Sequence, residues 1–124
     1  MTIIDLTSKL IEEFPKVPVF YNHIVVEEGQ ELNPPYIVTN SEGINPFHAD
    51  NCNYYTFVRN TVDLYLGTLT EKTLLMLDKF FVKYGIRFDK NESFDEFAYL
   101  YEIEYVVYLD EVEEEVTEDG NGNT

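Results

Sequence analysis

Phe97-Ala98-Tyr99-Leu100-Tyr101-Glu102-Ile103-Glu104-Tyr105-Val106-Val107-Tyr108-Leu109 carries an apolar or aromatic residue at every odd position, while Glu102 and Glu104 fall between them. Successive side chains of a β-strand point to opposite faces, so this period of two defines a strand with one buried and one polar side. An α-helix would scatter the same residues around its circumference. Residues 97–109 are therefore read as a long strand of a sheet whose second face is open.

The same period recurs upstream. Between residues 54 and 66, Tyr54, Thr56, Val58, Val62, Leu64 and Leu66 form one series, and Arg59, Thr61 and Asp63 mark the other. Asn60 interrupts the apolar series, which points to a bulge or a sheet edge. Between the two strands, residues 68–85 change to a helical period. Thr68 and Glu71 are spaced as a capping pair, Leu74, Leu77 and Phe81 supply a buried stripe, and Gly85 suits a left-handed stop. Leu75, Met76, Phe80 and Tyr84 widen that stripe beyond what one sheet face demands, so Met76 and Phe80 are candidates for a contact with a neighbouring subunit. A short strand over residues 86–88 and a polar turn over residues 89–95 lead into the last strand.

At the other end, Thr2 and Asp5 form a capping box, and Ile3, Leu6, Leu10 and Phe14 lie on one face of a helix over residues 2–14. Pro15 and Pro18 stop it, and residues 17–21 continue extended. The β-branched runs at residues 23–28 and 36–39 read as two strands joined through a stretch with tandem prolines. Residues 40–53 are rich in Gly, Pro, Asn and Ser and read as an exposed loop carrying Ile44 and Phe47. Strands without crossover helices favour an antiparallel sheet. The fold class is α+β: a mainly antiparallel sheet with two helices on one face, in a single domain over residues 1–110.

The chain has 124 residues, enough for one core, and its ten Tyr and nine Phe must fill a core, an interface or both. A single cysteine, Cys52, allows no internal disulfide, and charges among the first residues interrupt any signal-like apolar run. An intracellular protein that neither is secreted nor enters a membrane is expected. The formal charge is −16, which argues against binding nucleic acid through its phosphates. Residues 110–124 carry seven acids and no base, leaving −9 for the rest, so residues 111–124 read as a disordered acidic tail on a body that is itself acidic.

Catalytic and metal chemistry find little support. His48 and Cys52 are four apart, but with only His23 as a further imidazole they fall short of a three- or four-ligand set. Asp89, Asn91 and Ser93 mimic the start of a calcium loop, yet Phe94 and Leu100 stand where Gly and Glu are required. Glu102 and Glu104 share a strand face without a nucleophile or phosphate loop beside them. No enzyme activity, metal or other cofactor is expected.

Pro34-Pro35-Tyr36-Ile37-Val38, then Phe47-His48-Ala49-Asp50-Asn51 running into Tyr54-Tyr55-Thr56-Phe57-Val58-Arg59-Asn60-Thr61-Val62-Asp63-Leu64-Tyr65, resembles the tail-completion or tail-terminator proteins of long-tailed phages of Gram-positive bacteria. Residues 74–85, Ile86-Arg87-Phe88-Asp89-Lys90 and Tyr99-Leu100-Tyr101-Glu102-Ile103-Glu104 extend the resemblance in order over most of residues 2–109. The acidic tail and Cys52 depart from the family pattern. The resemblance implies a virion subunit, made in the host cytoplasm, that forms a hexameric ring at the head-proximal end of the tail tube, ends tube growth and meets the head connector or stopper. Its partners would be the tail-tube protein, that connector and further copies of itself, with no membrane and no specific nucleic-acid binding.

A closed ring needs two different patches per subunit. Ile44, Phe47, Asp50, Asn51 and Tyr54, with Met76 and Phe80, are the candidate interface residues. Asp63, Glu102 and Glu104 are candidates for the wall of a channel that repels passing DNA. The rival expectation is an acidic DNA mimic that inhibits a host DNA-binding enzyme.

Overall fold

The computed structural model describes residues 1–44 and 57–109. Seven elements follow in order: α1 (Ile3–Glu13), β1 (Val19–Tyr21), β2 (Tyr36–Ile44), β3 (Phe57–Leu66), α2 (Glu71–Lys83), β4 (Arg87–Asp95) and β5 (Leu100–Tyr108). The strands form one sheet in the order β1-β2-β3-β5-β4. All neighbours are antiparallel except β1 and β2, whose parallel pairing uses the crossover of residues 22–35. The architecture is thus α+β, with a mostly antiparallel sheet.

The register explains the core. Ile37 pairs with Leu64 and Leu64 with Ile103, while Thr39 pairs with Val62 and Val62 with Tyr105, so these residues share one face. Both helices pack there: Ile3, Leu6 and Leu10 of α1 and Leu77, Phe80 and Phe81 of α2 join the sheet residues in one buried cluster. Hydroxyls fix the helices where apolar contact alone leaves them free to slide. The Thr7 hydroxyl donates to the Ile3 carbonyl at 2.7 Å and shares a second hydrogen bond of 2.7 Å with Thr39, holding α1 on β2. Under α2, the fully buried Tyr105 sends its hydroxyl to Asp78 Oδ1 at 2.6 Å, and Lys90 reaches the same carboxylate at 3.2 Å and the Leu74 carbonyl at 3.0 Å. The Tyr105 ring meets Phe81 and Phe88 edge-on at 5.1 and 5.3 Å.

The Thr2–Asp5 capping box of α1 forms as its spacing requires. That of α2 begins two residues later than the sequence suggested: Thr70 is the N-cap, and its partner is Thr73, not Glu71. Gly85 follows α2 with φ +69, in the left-handed region that favours glycine.

Several strand expectations change. Residues 24–26 form no strand, because β2 already has β1 on that side. The chain leaves β1 at Asn22, with φ +76, and Ile24, Val25 and Val26 are exposed. Residues 40–44 are not loop but the second half of β2, since β3 pairs with it as far as Ile44 and Phe57. Asn60 marks neither bulge nor edge: the register runs through it unbroken, with β2 on one side and β5 on the other, and its side-chain oxygen is buried with no partner among the described residues.

Val58, beyond the end of the β5 pairing, is exposed despite its place in the apolar series. Residues 89–95 are strand, and the turn falls at residues 96–99. There Asp95 Oδ1 accepts the amides of Phe97 and Ala98 at 2.9 and 3.3 Å, and Tyr99 adopts φ +54. Phe97, expected in the buried series, is consequently 98% exposed, and Tyr99 is exposed beside it. The expectation for residues 111–124 lies outside the described residues.

Replacing Asp78 by Ala strands the Tyr105 hydroxyl and takes from Lys90 its nearest carboxylate, leaving it the Leu74 carbonyl. Urea unfolding should show a loss of about 2–3 kcal/mol, against about 1 kcal/mol for Tyr105→Phe, which removes donor and need together. Equal losses would show that Asp78 contributes little beyond accepting the Tyr105 proton.

Candidate functional site

The face of the sheet opposite the helices collects the acids. Asp63 pairs with Glu104 and with Val38, and Tyr65 pairs with Glu102 and with Tyr36, so Asp63, Glu102 and Glu104 occupy adjacent positions on the two central strands. The Tyr36 and Tyr65 rings stack at 4.9 Å, and Tyr36, Val38 and Thr61 are buried although neither α1 nor α2 lies on this side. Asp63 is thereby enclosed in apolar and aromatic surroundings, and its Oδ1 is buried with no hydrogen-bond partner among the described residues.

The electrostatics follow from this enclosure. Burial, and then the neighbouring charges of Glu102 and Glu104, push the Asp63 carboxyl up to about 7, with Arg59 pulling only weakly the other way. The nearby Glu102 side chain raises Asp63 further; burial and Glu104 raise Glu102 itself above the usual carboxylate range, against the opposing pull of its Asp63 and Tyr65 neighbours. Burial and the surrounding carboxylates raise Tyr65 as well, so it stays a neutral donor. Arg59 lies 3.7 Å from Glu104 at the outer part of the cluster. Near neutral pH this face therefore carries less charge than its carboxylates suggest. Among the described residues, no three His, Cys, Asp or Glu converge as metal ligands.

The other candidate residues separate. Met76 is half-buried on α2 and lines a groove of about 310 Å³ between the end of α1 and the outer side of α2, together with Phe14, Phe80 and the charged Glu13, Lys72, Lys79 and Lys83. Phe80 is only 3% exposed, packed against Phe14, Phe81 and Tyr84, so it belongs to the core and not to an open interface. Ile44 ends β2, but its side chain, like Phe47, Asp50, Asn51 and Tyr54, lies outside the described residues.

Reading the sequence missed two features. One is the aromatic turn of Phe97 and Tyr99, whose signal was Asp95, a residue suited to capping a turn. The other is the enclosure of Asp63, for which the paired Tyr36 and Tyr65 were the available sign. Comparison with protein families, curated proteins and solved structures gives no match for this chain. No helix among the described residues is long and apolar enough to cross a membrane.

A carboxyl raised in the folded state is protonated there while its unfolded counterpart is ionised. Its contribution to stability is full below about pH 4 and is lost as pH rises through about 7. Asp63→Asn should therefore match the parent near pH 4 and be more stable at pH 8, by about 1–2 kcal/mol after allowance for solvent on the open side. Urea unfolding across this range checks it; a parent no less stable relative to the variant at pH 8 than at pH 4 contradicts the assignment.

Proposed function

We propose that this chain is a structural assembly protein of a phage tail. In this reading it caps the head-proximal end of the tail tube as a hexameric ring, ends tube growth and forms the joint with the head connector. The carrying observation is where the resembling motifs fall. Residues 36–38 lie in β2, residues 57–65 in β3, residues 74–83 in α2, residues 87–90 in β4 and residues 100–104 in β5, so the motifs follow the sheet and the helix that covers it.

The surfaces support an assembly role. β1 and β4 leave two unlike sheet edges, and the Phe97–Tyr99 turn presents exposed aromatics at one end of the β4–β5 hairpin. Heterologous contacts that close a ring use such unlike patches. Glu102 and Glu104 supply a negative wall that disfavours adhesion of DNA, with Asp63 beside them raised to about 7 and so only partly ionised. The same partial protonation, with Arg59 beside Glu104, weakens DNA mimicry by this face.

The test uses tube protein encoded by the same genome. Added during polymerisation in a few-fold excess over tube ends, the chain should arrest growth and appear as a cap at one end of each tube in electron micrographs. Tubes that keep growing uncapped overturn the proposal.

A further inference from the structure

Three of the chain's eight basic residues, Lys72, Lys79 and Lys83, line the groove beside Met76. Lys83 is already engaged, 3.0 Å from Glu13. Lys72 and Lys79 are exposed and have no ion pair among the described residues, although the protein is strongly acidic. An apolar groove bordered by two uncommitted ammonium groups suits an acidic segment with interspersed apolar side chains.

The chain carries such a segment and delivers it nearby. Tyr108 pairs with Arg87, which follows α2 by only a few residues, and Leu109 is buried in the same cluster as Phe80. The described chain therefore ends at Leu109, close to the C-terminal end of α2. Residues 110–119 contain seven carboxylates, no base, and Val112 and Val116 four apart. Ten residues reach roughly 33 Å when extended, whereas α2 with its 13 residues is only about 20 Å long.

We infer that residues 110–119 dock in the groove of their own chain, with carboxylates on Lys72 and Lys79 and the valines against Met76 and Phe14. Attachment to the same molecule gives the segment a high effective concentration at the groove, so moderate contacts suffice. This inference is independent of the tail-tube reading.

Zero-length carbodiimide cross-linking of the full chain tests it, using an equal mixture of natural-abundance and ¹⁵N-labelled protein with peptide mass spectrometry. The expected result is roughly ten-fold more linkage from residues 110–119 to Lys72 and Lys79 than to the exposed Lys16, confined to single-isotope pairs. It should fall to the Lys16 level in about 0.5 M NaCl, where charges are strongly screened. Met76→Glu, which keeps the lysines but places a like charge in the groove, should have the same effect, with circular dichroism confirming the fold. Linkage no higher than to Lys16 overturns the inference, and so do mixed-isotope pairs as abundant as single-isotope ones, which would make a second copy the occupant.

Discussion

The two central strands, β3 and β5, can present side chains to only two faces, and the molecule follows from how differently those faces are filled. One receives Val62, Leu64, Ile103, Tyr105 and Val107 and must be covered, so both helices collect there. The other receives Thr61, Asp63, Tyr65, Glu102 and Glu104 and is covered by neither α1 nor α2. Tyr105 shows how the covered side is made specific. Its ring fills space between Phe81 and Phe88, and its hydroxyl binds a carboxylate on α2, which sets where that helix rests.

The open side is not an ordinary solvated face. Stacked tyrosines and a buried valine reduce solvation around Asp63, and two neighbouring glutamates add repulsion, so its carboxyl gives up its proton only around pH 7. A protein whose sheet were only a scaffold would have little reason to crowd three carboxylates onto its exposed centre. The proposal of an assembled ring gives this arrangement a use: the face forms a wall that passing DNA does not grip, while unlike edges and an aromatic turn join the subunits.

Periodicity made the long strands, both helices and the opposition of the two faces legible in the sequence, because each depends on local alternation. It failed where pairing, and not pattern, decides. Residues 24–26 have the β-branched composition of a strand but pair with no strand among the described residues, whereas residues 40–44 and 89–95 are mostly polar and become strands because β3 and β5 run beside them. Asn60 looked like an interruption and is held in the ladder by partners on both sides. At the candidate site, the sequence showed which acids share a face. It did not show that Asp63 is enclosed, which depends on Tyr36 from a strand some 27 residues earlier.

The ring is the central claim, and its mass in solution tests it most directly. Light scattering of the purified chain, alone and with tail-tube protein of the same genome, should show a six-fold protomer mass either in isolation or on tube ends. A particle that stays monomeric in both, and displaces DNA from a basic enzyme instead, contradicts the account.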